Sequence, residues 1–422
     1  MAMRTTAAKP RLLLIGNGMA GIRTLEELLN IAPDRYHIAV VGEENHVNYN
    51  RIMLSPVLAG EKQLDQIILN GEDWYRQHNI ILFKGEKAIR IDRARRQVHM
   101  ASGLILPYDK LVLATGSRPA VLPIPGNTLH NILTFREIRD VNRMLDLSRQ
   151  VKKAAVVGGG LLGLEAANGL RQQGMEVTVI HGCDYLLNKQ LDAHAGQLLA
   201  RTLEAKGIQF IMNARTSRFV GDDQQNVRAI EFADGTTLEV DMVVTATGIV
   251  PNTELAQASG LQTGNGILVN DTLQTFDPAI YAVGECVEHR GRLFGLVAPL
   301  YDQARVCANH LAEMGIARYV QKPEATKLKI TGINAFSAGD FHGDDQCETV
   351  TFEDQGLGHY RKLVLRGNQL VGAILYGDTQ DGAWFFDLIQ QQTDITQWRD
   401  TLIFGRDFCV DSTDTPQLPV AA

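Results

Sequence analysis

Apolar and polar positions change their period several times along this chain of 422 residues. Residues 11–15 (RLLLI) and 154–157 (AAVV) are short unbroken apolar runs, which suit strands buried on both faces of a parallel sheet. Each run breaks into glycines spaced G-x-G-x-x-G: Gly16, Gly18 and Gly21 in one, Gly158, Gly160 and Gly163 in the other. A helical stretch follows each turn, IRTLEELLNIA in the first case, and then a second apolar strand, YHIAVVGEE or VTVI. Strand, glycine turn, helix and strand make a βαβ unit, and the sequence contains two. Three more apolar runs end in turns: LVLATGSRPA at 111–120, MVVTATGIVPN at 242–252 and TFDPAIYAVGECVE at 275–288. The paired ATG segments mark where the chain crosses between a first domain and one inserted into it. Residues 295–315 read as a helix, GLVAPLYDQARVCANHLAEMG. Beyond residue 322 the period becomes two: YRKLVLRG and QLVGAILYG predict an antiparallel hairpin around GNQ, and GAWFFDLIQQQ starts a helix. Trp384, Phe385 and Phe386 on that helix are assigned to core packing rather than to an electron relay, because aromatic side chains dominate cores by area.

These patterns predict an α/β chain. Two Rossmann-like dinucleotide-binding domains, the second inserted in the first, precede a C-terminal α+β domain. The expected boundaries are 10–120 with 242–320 for the first domain, 121–241 for the second and 321–410 for the third, with a flexible polar tail at 411–422.

The glycine turns carry the first chemistry. This spacing sets a tight turn beside a helix N-terminus and lets bare backbone approach a pyrophosphate. Met19 and Ala20 in the first turn, and Leu161 and Leu162 in the second, lie between the last two glycines and join the expected contact surface. An acid at the end of the second strand accepts hydrogen bonds from a ribose; Glu43 is the choice in the first unit, with Glu44 the alternative. The distance from Gly16 to Glu43 exceeds the usual spacing of about 20 residues. In the second unit His181 stands at the strand end. It offers one hydrogen bond to a ribose but neither the charge of an acid nor that of the arginine a 2′-phosphate calls for, so NADH is expected over NADPH.

Composition narrows the field. A formal charge of −7 and a pI near 5.9 argue against non-specific binding to nucleic acid or an anionic membrane. No apolar stretch reaches the length of a bilayer span, and the start, MAMRTTAAKPR, lacks the apolar region of a secretory signal. Cys183, Cys286, Cys307, Cys347 and Cys409 are scattered, with no C-x-x-C. That usage suits a reducing cytoplasm and offers no metal cage.

The order of G-x-G-x-x-G, ATG, G-x-G-x-x-G, ATG and T......YAVGE resembles the glutathione reductase-type pyridine nucleotide-disulfide oxidoreductase superfamily over residues 10 to about 310. The resemblance implies FAD on the first glycine motif and a nicotinamide dinucleotide on the second. It further implies that Thr115 and Gly116 lie close to FAD, that Gly284 and Glu285 approach its ribityl and phosphates, and that Thr247 and Gly248 belong to the NAD site. Glu165 would sit near the nicotinamide, although an acid early in a helix is also favoured by the macrodipole. The N-terminus of the 295–315 helix would face the flavin pyrimidine edge and stabilise negative charge there.

The thiol-using branches carry cysteine after the first βαβ unit, whereas this chain reads NHVNYNRIMLSPVLAGE and has no cysteine before Cys183. YNRIMLSPVLAG resembles instead the ferredoxin, rubredoxin and nitrite reductase branch, in which the residue matching Arg51 contacts the flavin or its phosphates. LLNKQLD, ATKLKITGINAFSAGDF and YRKLVLRGNQLVGAILYGDTQDGAWFFDLI resemble the flavoprotein module of NADH-dependent assimilatory nitrite reductases, which also serves as an electron-transfer subunit of bacterial assimilatory nitrate reductases. His181 fits that branch too. A full nitrite reductase adds iron–sulfur and sirohaem parts held by clustered cysteines, and FGRDFCVDSTDTPQLPVAA supplies none. The chain is therefore expected to pass electrons onward rather than to reduce nitrite itself.

The resulting expectation is an NADH-oxidising FAD subunit that delivers electrons singly to a molybdenum and iron–sulfur nitrate reductase. A separate iron–sulfur nitrite reductase, rubredoxin or ferredoxin are the alternative acceptors. A protein that binds NADH and FAD for regulation, without turnover, is the alternative of another class.

Overall fold

The computed structural model describes residues 9–323, 325–330 and 332–409. The predicted flexible tail lies outside these residues. The chain forms two compact units. The first takes the residues up to Ala120, Arg136–Val141 and Gly248–Gln321; the second takes Val121–Phe135, Asn142–Thr247 and the residues from Lys322 onward.

A five-stranded parallel sheet organises the first unit, in the order Ile280–Ala282, Lys110–Leu113, Arg11–Ile15, His37–Gly42 and Ile81–Lys84. Arg11–Ile15 lies in the middle, where both faces are covered, and for that reason Leu12 to Ile15 are all buried. Helix Met19–Ile31 turns Ile22, Leu25 and Leu28 into the same core. Helix Val297–Leu311 adds Leu300, Cys307 and Leu311, and Tyr36 Oη donates to the Leu311 carbonyl at 2.7 Å.

The second unit repeats the plan with strands Ile132–Thr134, Met242–Thr245, Lys153–Val157, Glu176–Ile180 and Ile208–Ile211, again all parallel. Strand Met242–Thr245 sits between Ile132–Thr134 and Lys153–Val157 and completes this sheet. The chain therefore re-enters the first unit at Gly248 rather than at the predicted 242. The short segment Arg136–Val141 also belongs to the first unit, which the sequence pattern does not signal.

The C-terminal part of the second unit is a five-stranded antiparallel sheet covered by helix Gly382–Gln391. The expected hairpin is there: His359–Arg366 pairs with Gln369–Tyr376, with Arg366 opposite Gln369. Phe385 is fully buried in its core, and Trp384 and Phe386 pack against that core while partly exposed.

Candidate functional site

Each unit carries one glycine turn. In the first, Gly16 has φ +113°, and a Cβ there would overlap the carbonyl oxygen of Ala114. A Cβ on Gly21 would lie 2.7 Å from the Gly16 carbonyl oxygen. The chain's own packing demands both glycines. Gly18 is different: it has ordinary extended backbone (φ −81°, ψ −179°), and a Cβ there would meet nothing within 4 Å. It is the N-cap of helix Met19–Ile31, with no side-chain cap and no acid in the first turn. Bare N–H groups facing open space, at the positive end of a helix dipole, fit an anionic pyrophosphate.

Around this turn the chain gathers residues from distant segments. Thr115 Oγ1 donates to the Asn252 carbonyl at 2.7 Å, and Asn252 Nδ2 returns to the Thr115 carbonyl at 2.8 Å, so the two ATG segments are cross-tied. Gly284, at φ +94°, donates its N–H to Gln303 Oε1 at 2.8 Å. Glu285 Oε2 accepts from Ser117 Oγ at 2.8 Å and from Arg136 Nη2. Gln303 Nε2 and Arg136 Nε are buried donors with no hydrogen-bond partner, as a site built for an acceptor-rich group would leave them. Arg51 donates to the Arg136 carbonyl at 2.8 Å and to Glu44 Oε1 at 2.6 Å, and its guanidinium lies 5.2 Å from the centroid of the Tyr49 ring. Glu44 is thus committed to Arg51 and Tyr49, whereas Glu43 is exposed and paired only with the exposed Lys87. Glu137 lies nearby; burial, with the Glu44 charge, raises its carboxyl above the usual range.

The second turn has the same backbone. Gly158 has φ +125°, and a Cβ there would overlap the Ala246 carbonyl oxygen; one on Gly163 would overlap the Gly158 carbonyl. Gly160 is an uncapped N-cap with open space at its Cβ position, and helix Leu161–Gln172 has no acid in its first turn. Glu165 is the fifth residue of that helix and partly buried, so the macrodipole, whose effect fades after one turn, does not account for it. The Gly159 N–H donates to His181 Nδ1 at 3.1 Å. His181 therefore supports the turn from beneath with one ring nitrogen, while Nε2 is buried without a partner. Burial lowers its pKa below the ordinary 6.5. Thr247 ends the Asn142–Thr247 segment of the second unit and Gly248, at φ +125°, begins the return to the first.

Four residues of this arrangement have no sequence motif to announce them: Ser117, Arg136, Asn252 and Gln303. Ser117 lies inside, and Asn252 ends, a segment that the ATG pattern picks out, although neither residue is part of that pattern. Arg136 and Gln303 reach the site by tertiary folding alone. Among the described residues no group of three or more His, Cys, Asp or Glu is placed to hold a metal ion. Nor is any helix among them long and apolar enough to cross a membrane.

Comparison with known proteins bears on the same segments. Residues 10–309 match the model of the pyridine nucleotide-disulphide oxidoreductase family. The chain belongs to that family. Residues 325–393 match the C-terminal domain of rubredoxin NAD+ reductase. Among curated relatives of this oxidoreductase, a nitrite reductase [NAD(P)H] of Bacillus subtilis is 49% identical over 92% of the chain and 48% of its own length. The assimilatory nitrate reductase electron transfer subunit of the same organism is 44% identical over 92% of the chain and 50% of its own length. The chain thus spans about half the length of these two relatives. In the crystal structure of a covalent putidaredoxin reductase–putidaredoxin complex, a chain 27% identical superposes with a TM-score of 0.82, covering 92% of this chain and 94% of that one. The oxidoreductase takes FAD and a nicotinamide dinucleotide as cofactors, and its fold is the two-Rossmann α/β arrangement with a C-terminal domain.

Proposed function

We propose that this chain is the NADH-oxidising electron-transfer flavoprotein of nitrate assimilation, passing electrons one at a time to the iron–sulfur clusters of a molybdenum nitrate reductase. The observation that carries the reading is the state of the thiols. The first unit holds only Cys286 and Cys307, both fully buried, and burial pushes both thiols up. Neither is placed to receive electrons as a thiolate, which supports an acceptor outside the chain. The relative named as a nitrate reductase electron transfer subunit supports the choice of partner.

In this reading the Gly18 turn, with Met19 and Ala20, holds the FAD pyrophosphate, and Glu43, exposed at the strand end, is the acid that meets the adenosine ribose. Thr115 and Gly116 lie close to the FAD, Gly284 and Glu285 approach its ribityl and phosphates, and Arg51 acts through the Glu44 and Arg136 network. The Gly160 turn, with Leu161 and Leu162, holds the NADH pyrophosphate; His181 keeps that turn in shape, Thr247 and Gly248 border the site, and Glu165 orients the nicotinamide. FAD, when bound, takes the two electrons of a hydride and yields them singly. A second reading, the flavoprotein module of a nitrite reductase, is favoured by the 49% relative. The C-terminal match makes rubredoxin or ferredoxin the third acceptor to test.

Steady-state assays decide among these. Rapid NADH-dependent reduction of ferricyanide, with nitrate reduction appearing only when a molybdenum catalytic subunit is added, is the expected result. Electron delivery to nitrite reductase, ferredoxin or rubredoxin but not to nitrate reductase would contradict the proposed partner. FAD and NADH binding without turnover would leave the regulatory alternative.

A further inference from the structure

Strand register equates positions in the two turns. Ile15 pairs with Val41 and Val157 with Ile180, so Gly42 in the first unit occupies the rung of His181 in the second, while Asn17 matches Gly159. In each unit one of these two facing positions has to be glycine. A Cβ on Gly42 would lie 2.9 Å from the Asn17 Cβ, and one on Gly159 would lie 2.8 Å from His181 Cγ. The side chain thus rises from the turn in the first unit and from the strand end in the second.

The consequence is unequal anchoring. Asn17 Nδ2 donates to the His46 carbonyl at 3.1 Å, Asn17 Oδ1 accepts from Tyr75 Oη at 2.7 Å, and the Asn17 carbonyl accepts from Asn48 Nδ2 at 3.0 Å. Asn48 and Tyr75 are 1% and 3% exposed, so the bonds to these two are partly shielded from competing water, while the bond to the His46 carbonyl is exposed. Asn70, opposite Asn48 in the strand register, donates to Glu26 Oε1 at 3.0 Å and ties the same network to helix Met19–Ile31. Gly159 has no side chain to anchor: its N–H donates to His181 Nδ1 and its carbonyl accepts from the Leu187 N–H at 3.1 Å. Glycine also has the greatest conformational freedom to lose when a ligand orders it.

We propose that Asn17, held by Tyr75, Asn48 and the His46 carbonyl, is the positioning residue that makes the first turn keep its dinucleotide as a resident group, whereas the second turn, lacking such an anchor, exchanges its own. A preformed cradle spends less of the binding energy on ordering, and the gain appears as slow release. The inference rests on the reading that FAD occupies the first turn and NADH the second. Burial pushes the Tyr75 hydroxyl up to about 12, so it remains a donor at working pH.

The test uses the full chain with Asn17→Gly, which recreates the second turn's three consecutive glycines, and Tyr75→Phe, which removes one hydroxyl. FAD is titrated into each apoprotein by fluorescence quenching and its release rate is followed; KM for NADH is measured at saturating FAD. Asn17→Gly is expected to weaken FAD binding at least about tenfold, mainly through faster release, and Tyr75→Phe about threefold, with KM for NADH changed less than about twofold. Unchanged FAD affinity and release in a folded Asn17→Gly protein would overturn the proposal. If Asn17→Gly fails to fold, an unchanged release rate in Tyr75→Phe overturns it equally. A rise in KM for NADH with FAD binding intact would instead show that the cofactors had been assigned to the wrong turns.

Discussion

The two glycine turns share a backbone and differ in what faces them. Both use their first and third glycines to let the helix settle on the strand, and both leave the middle glycine open to an outside ligand. Yet the first turn is braced by a partly buried amide and hydroxyl network, and the second by one imidazole. A shared motif therefore sets what class of group can bind, while the surrounding side chains set how firmly it is kept.

The largest effects should come from the glycines that the fold itself needs. Gly16→Ala or Gly158→Ala forces a Cβ into a carbonyl oxygen at a left-handed backbone position, with a cost of about 3 kcal/mol or more. Loss of soluble protein, or a fall in Tm of several degrees by circular dichroism, is expected for either. The middle glycines break the symmetry: Gly18→Ala and Gly160→Ala should both melt near the unmodified protein. The first should lower FAD content and the second should raise KM for NADH, each by about tenfold or more, through crowding of the pyrophosphate. If both variants lost FAD, or neither did, the division of labour between the turns would be wrong.

His181 sharpens the comparison at a smaller scale. A neutral imidazole neither balances nor repels a 2′-phosphate, so kcat/KM is expected to favour NADH over NADPH by about 10 to 100 fold, roughly 1.4 to 2.7 kcal/mol. Equal or better activity with NADPH would contradict this. The pH dependence follows from burial. The folded pKa of His181 is depressed below 6.5, so both folded and unfolded forms are neutral above that value. As pH falls below it, the unfolded chain takes up the proton first and stability declines; once the folded imidazole itself is protonated, Nδ1 no longer accepts from Gly159. KM for NADH should therefore rise toward low pH in the unmodified protein, and a pH profile unchanged by His181→Gln would count against the link. The smallest effect is expected at the buried thiols. Cys286→Ala and Cys307→Ala should leave NADH-to-ferricyanide turnover within about threefold, and a hundredfold loss with FAD retained would reveal a thiol relay.

Much of this arrangement is legible in the sequence because its signals are local. Apolar runs at Arg11–Ile15 and Lys153–Val157, and glycines at fixed spacing, announce parallel strands and their turns without help from the rest of the chain. Alternation over His359–Tyr376 announces the hairpin in the same way. The anchor is not local: Asn48 and Tyr75 lie 31 and 58 residues from Asn17 and meet it only through tertiary folding. Arg136 is hidden for a related reason, since a segment of six residues carries it into the first unit while its neighbours stay with the second. The predicted boundary at 242 missed by six residues because an apolar run shows that a strand exists, not which sheet it joins.

An anaerobic titration of the purified protein with NADH, followed by the visible absorbance of the flavin, tests the central claim most directly. The account predicts about one FAD per chain, carried through purification and bleached by about one equivalent of NADH, with the nicotinamide product washing out and the flavin staying. A folded, colourless protein that takes up no FAD, or a bound flavin that NADH leaves oxidised, would contradict it.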